Sequence, residues 1–167
     1  MLKLFSIIVC IALTLVSATT AFANLPTQGF LPSKLANNAV VAAVEQCEQD
    51  GYAVSAAIVD RSGVVIAQLR NDSAGAHTID SSMNKAYTSA SLKEPTQKLA
   101  KLISKFPAIQ ALRDMNSQIL ILGGGFPIQI NNEIVGGIGV GGAPGAHLDE
   151  KCARAGLKLL KAHLYQE

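Results

Sequence analysis

Tryptophan is absent from the 167 residues, and aromatic residues of all kinds make up only 5% of them. Surfaces for single-stranded nucleic acid stack bases on aromatic rings, so this chain is poorly equipped for that work. Charge is also scarce. Asp, Glu, Lys and Arg account for 16% of residues, and a net charge of +2 leaves no basic footprint for DNA or RNA. No G-K-[ST] phosphate loop and no G-x-S-x-G nucleophile elbow occurs. The three histidines, His77, His147 and His163, show no metal-ligand spacing, so zinc catalysis has no support. What is plentiful is apolar residue, at 49%, which excludes a disordered chain and suits one compact domain.

The start of the chain has the layout of a secretory leader. Lys3 precedes an apolar run from Leu4 to Val16, and small residues follow, ending in Ala21-Phe22-Ala23. The run is too short to span a bilayer comfortably. Cleavage is expected after Ala23, giving a nearly neutral mature protein in the periplasm or outside the cell; an uncleaved anchor is the alternative. Cleavage removes Cys10 and leaves Cys47 and Cys152. An exported pair invites a disulfide, against the alternative of two separate buried thiols.

Residues 24–32 read as an irregular lead and residues 33–167 as a single domain. Ser33 is a candidate N-cap for a helix over Lys34 to Asp50, whose apolar residues Ala36, Val40, Ala43 or Val44, and Cys47 recur at helical spacing. Two strands, Ala53 to Val59 and Val64 to Leu69, flank the turn residues Asp60-Arg61-Ser62-Gly63. A helix is expected from His77 to Leu92, another over Thr96 to Lys105 after Pro95, and a short connector from Pro107 to Met115. Ile119 to Leu122 reads as a short strand. Phe126 to Ile130 and Ile134 to Val140 form a hairpin through Asn131-Asn132, which tolerate positive φ. A last helix runs from about Leu148 to Leu164. The expected fold is α+β: about five mostly antiparallel strands flanked by helices, a profilin-like sandwich. The two end helices each carry a cysteine on the apolar stripe, and packing them side by side brings Cys47 to Cys152.

Gly137-Ile-Gly139-Val-Gly141-Gly142 matches G-x-G-x-x-G in letters only. Pro144 interrupts, no βαβ unit follows, and lysines stand where the acidic residue belongs. The plainer reading is a strand that another backbone or a ligand approaches closely. His147 and His163 read as a solvent-facing residue and a packing or helix-end residue. His77 opens a helix after Gly75-Ala76. It is either an exposed helix-start residue or a donor aimed at a cleft, such as an axial iron ligand. Asp60, Arg61, Arg70 and Asp72 cluster around the first hairpin, and Lys85 lies two turns into the helix after His77. Taken singly, such charges are more often solvated than functional.

Three segments carry a resemblance to a known family: AAIVDRSGVVIAQLRND, GAHTIDSSMNKAYTSAS and GGGFPIQINNEIVGGIGVGGAPGAHLDEKCARAGL. Together they resemble the GlcG/HbpS family of haem-binding or haem-degrading-type domains over about residues 33–164. The chain has Gly141 where that family commonly carries serine. The resemblance implies a five-stranded antiparallel sheet, homo-oligomers and, in some members, haem or iron binding. A haem pocket needs an apolar groove, an axial donor and cations for the propionates. His77 is then the leading axial ligand, with Tyr87 or Thr88 as oxygen alternatives. Arg61, Arg70 and Lys85 are the propionate contacts, and Val54, Ile58, Leu120, Phe126 and Ile138 are the walls. The function expected is an exported module binding haem or a related small ligand. The alternatives are a small-molecule enzyme, degrading haem or acting on a hydroxy-acid-type metabolite, and an oligomeric accessory protein.

Overall fold

The computed structural model describes residues 27–164, with side chains through Lys161. The expected leader, its Cys10 and the side chain of His163 lie outside the described residues. Nine elements follow in order: α1 (Ser33–Gln49), β1 (Ser55–Asp60), β2 (Val65–Arg70), α2 (His77–Leu92), α3 (Thr96–Lys105), a 3-10 helix (Pro107–Asp114), β3 (Gly125–Ile130), β4 (Glu133–Gly141) and α4 (Ala146–Leu164). The four strands form one sheet in the order β2-β1-β4-β3, and every neighbouring pair is antiparallel.

α1 forms where the apolar spacing places it. Ala36, Ala39, Val40, Ala43, Val44 and Cys47 are all buried on one stripe. Ser33 is not the cap: Pro32 holds the N-cap position, and no side chain caps the helix. The β3–β4 hairpin turns through Asn131 and Asn132 at φ of 48° and 63°, the left-handed values their side chains tolerate. The fifth strand expected over Ile119–Leu122 does not form. Each N–H of the Ile119–Leu122 segment that is bonded finds a local or helical partner instead of a ladder. Ile119 donates to the Asn116 carbonyl, Leu120 to the Thr88 hydroxyl, and Leu122 to the Leu120 carbonyl.

The sheet is covered on both faces, by different means. On one face, Ala56, Ile58, Phe126, Ile128, Ile138 and Val140 join the buried residues of α1 and α4 in the main core. There Cys47 and Cys152 are disulfide-bonded, with Cα atoms 5.4 Å apart. On the other face α2 lies directly on β4. A Cβ added to Gly137 would strike the Ala86 carbonyl, and one on Gly139 would strike the Ser82 carbonyl. The repeated glycines therefore admit a helix backbone, which is the plainer of the two readings of the G-x-G-x-x-G letters. Gly139→Ala should accordingly destabilise the fold by about 2–3 kcal/mol, because the contact is with backbone that cannot rotate away. A lowered urea midpoint with unchanged slope would show it, and an unchanged midpoint would contradict the close approach.

Candidate functional site

Most of the residues singled out in the sequence lie on or beside α2, and the fold divides them into three groups. The first lines the open edge where β2 meets α2. His77 is exposed at the first position of α2. Its imidazole folds back over Gly75, so that a Cβ there would lie 2.7 Å from the ring. The next residue anchors this helix start: the buried Thr78 hydroxyl donates to the Gly75 carbonyl and meets the Ser55 hydroxyl at 2.7 Å. Arg70 ends β2 beside it and donates from Nη1 to the Ala74 carbonyl at 2.7 Å, bracing the loop that leads into α2.

Further along the same edge, the Tyr87 ring packs against Gly63 in the β1–β2 turn, filling the space a side chain would take. Arg61 belongs to that turn and pairs with Glu133 of the β3–β4 hairpin at 2.7 Å. Between the two ends lie the exposed Val65 and Ile79, and Gln68, which donates to the Ile79 carbonyl. Ten residues of helix separate His77 from Tyr87, about 15 Å along the axis, so the two cannot meet one iron.

The second group is sealed inside, and here the structure corrects the sequence reading. Lys85 is only 1% exposed and does not reach a surface propionate. Its ammonium donates to Asp149 Oδ2 at 2.7 Å and to the Val140 carbonyl at 2.9 Å. Gly124 closes over the pair: a Cβ there would sit 2.8 Å from the Asp149 Cβ and 3.1 Å from the Lys85 nitrogen. Asp149 also accepts the Ala143 N–H at 3.0 Å. Burial pushes the Asp149 carboxyl above its ordinary range, outweighing the attraction of Lys85. Thr88 is equally occupied, donating to the Asn84 carbonyl and accepting the Leu120 N–H, each at 2.7 Å. One turn before it, Asn84 Oδ1 is buried with no hydrogen-bond partner among the described residues.

The third group is on the wrong side of the sheet. Phe126 belongs to the core beneath α1 and α4, with the Arg154 guanidinium 4.4 Å from its ring centre. Val54, Ile58 and Ile138 lie in that same core. They therefore cannot wall a pocket that also contains His77. Asp149 was the residue the sequence reading missed; it stood in the D-E-x-C segment, 64 residues from its partner. His147 is exposed, as expected, at the start of α4.

Would this chain hold a haem? The β2–α2 edge supplies an exposed imidazole with a glycine-made seat, apolar flanks and, at the His77 end, the Arg70 guanidinium, while Arg61 is held away from it by Glu133. That donor chemistry fits iron and carboxylates, although it forms an open shelf and not a closed pocket.

The architecture defines an α+β sandwich: a four-stranded antiparallel sheet, two disulfide-linked helices on one face and a helix seated on glycines on the other. Residues 31–158 match the family described as haem degrading protein HbpS-like, and the chain belongs to that family. The fold is similar to the crystal structure of a double mutant of Streptomyces reticuli HbpS, with a TM-score of 0.76 and 42% identity over 83% of this chain and 92% of that one. It is also similar to the Klebsiella pneumoniae protein ORFY, with a TM-score of 0.77 and 28% identity over 83% and 97% of the two chains. An uncharacterised 15.0 kDa protein of Citrobacter freundii, from the dhaT–dhaS intergenic region, is 34% identical over 86 residues. That match spans 51% of this chain and 61% of the relative.

Proposed function

We propose that this chain is an exported protein that binds haem reversibly, with His77 as an axial ligand, and that copies of it associate. The observation that supports this reading is the exposed His77 imidazole, seated over Gly75 at an apolar-flanked edge, in a chain of the HbpS-like haem-degrading family. Imidazole is a strong donor to haem iron, and the nearby Arg70 supplies a cation for a propionate. Binding is favoured over turnover by the state of the buried acid–base couple. Lys85 and Asp149 are closed over by Gly124 and engaged with each other, so this couple is not presented to a substrate. Association is supported by β2, an edge strand whose Val65 and Leu69 are exposed.

The test is haem titration of the protein recovered from an exporting host, followed at the Soret band. Intact mass should place its first residue at Asn24, and light scattering should give more than one copy. His77→Ala should weaken haem binding by at least about tenfold, while His147→Ala leaves it unchanged. Equal binding by the two variants would remove His77 as the ligand. No saturable binding would remove haem as the ligand of this protein.

A further inference from the structure

The exposed large apolar residues fall into two sets. Phe30, Val64, Val65, Leu69 and Ile79 cluster around β2 and its surroundings; Leu102, Phe106, Met115 and Leu122 lie on the excursion between α2 and β3. That excursion is also where positive charge collects. Residues 93–115 hold Lys93, Lys98, Lys101, Lys105 and Arg113 against Glu94 and Asp114, an excess of three, whereas the whole chain has an excess of two. The rest of the chain is thus slightly acidic in balance, and this excursion carries a local cationic excess.

α3 organises them. Its inner face is already spent: Thr96, Leu99 and Ile103 are buried, and the Thr96 hydroxyl accepts the Gly125 N–H. Its outer face presents Leu102, 40% exposed, and just beyond its end Phe106, 48% exposed. They stand four residues apart and so share one side, with Lys98, Lys101 and Lys105 around them. Lys98 is paired with Glu94, but Lys101 and Lys105 have no carboxylate partner among the described residues. The Lys105 ammonium instead sits 5.4 Å from the centre of the Phe106 ring.

We propose that this outer face of α3 is a docking surface for an anionic lipid bilayer, with Leu102 and Phe106 entering the interface and the lysines meeting headgroup phosphates. The pattern is that of an interfacial helix: apolar tips, flanking long cationic side chains and little acidic charge. Charge decides the sign of the partner. Extent favours a bilayer over a protein, because the apolar surface of this face comes from Leu102 and Phe106, whereas a specific protein interface draws on roughly 20–30 residues a side. A bilayer demands no such shape match, only shallow apolar insertion and diffuse attraction.

The test is co-sedimentation of the full protein with phosphatidylglycerol/phosphatidylcholine vesicles and with pure phosphatidylcholine vesicles. Binding should be several-fold tighter to the anionic vesicles and should weaken as salt is raised. A variant with Lys101→Gln and Lys105→Gln should lose on the order of 25-fold in affinity, about fivefold per lysine. Phe106→Ser should also weaken binding, with circular dichroism unchanged. Equal binding to both vesicle types, or full binding by the lysine variant, would overturn the proposal. So would a change in assembly mass in these variants without a change in vesicle binding, which would assign the face to contact between copies.

Discussion

Removing the Cys47–Cys152 bridge is expected to lower the unfolding temperature by on the order of 10–20 °C. The two cysteines are 105 residues apart in sequence, so the bond closes a loop that takes in most of the folded domain. In the chain-entropy account a loop of that length stabilises by about 4–5 kcal/mol. The surroundings add to the effect. Both cysteines are fully buried between α1 and α4, and two serines there would leave hydroxyls facing the apolar core. Calorimetry of the Cys47→Ser, Cys152→Ser double variant beside the oxidised and reduced wild type separates the two causes. Reduction alone should account for the larger part. A reduced protein melting within a few degrees of the oxidised one would show that packing, and not the covalent link, holds the two helices together.

The second large effect is expected at the buried ion pair. Lys85→Met should cost about 3–5 kcal/mol at neutral pH, because it leaves the Asp149 carboxylate buried without its cation. The penalty should shrink in acidic buffer, and the reason lies in the sign of the shift. Burial already holds the Asp149 carboxyl above its ordinary 3.8 in the folded protein, and removing Lys85 takes away the main opposing influence. Over the window above 3.8 the native state then binds more protons than the unfolded chain. Stability therefore falls as pH rises through that window and recovers as pH falls. Asp149→Asn leaves the ammonium without an anion and should show no such relief in acid. Urea titrations of the two variants across the acidic range decide the matter. A pH-independent penalty for Lys85→Met would mean that Asp149 reaches solvent when its partner is gone.

How much of this was legible in the sequence differs from one element to the next, for physical reasons. The α1 stripe and the Asn131-Asn132 turn depend on neighbours close in the chain, and both appear as expected. The pairing of Cys47 with Cys152 was legible because compartment and helix periodicity pointed to the same arrangement. The segment from Ile119 to Leu122 misled because four apolar residues in a row say nothing about where their N–H groups go. The answer lies in Thr88, on another element. Lys85 read as a surface cation because lysines rarely lie in an interior. Only the meeting of α2 with the start of α4 shows that it has a buried carboxylate. Phe126 was assigned to the wrong side because alternation along a strand gives two faces, and only the register with β4 says which one α2 covers.

The link between α1 and α4 also changes what a cut in the backbone means. Cys47 lies near the end of the first helix and Cys152 in the last one, so nearly every loop falls inside the covalent ring they close. A protease that nicks the exposed stretch between α3 and β3 would leave two pieces that cannot diffuse apart. Each would stay at high effective concentration beside the other, with the sheet and both helical layers still able to hold them in register. For a protein expected to work outside the cell, among proteases and far from any repair by resynthesis, the bridge would act as a tether that tolerates damage as well as a staple that resists heat.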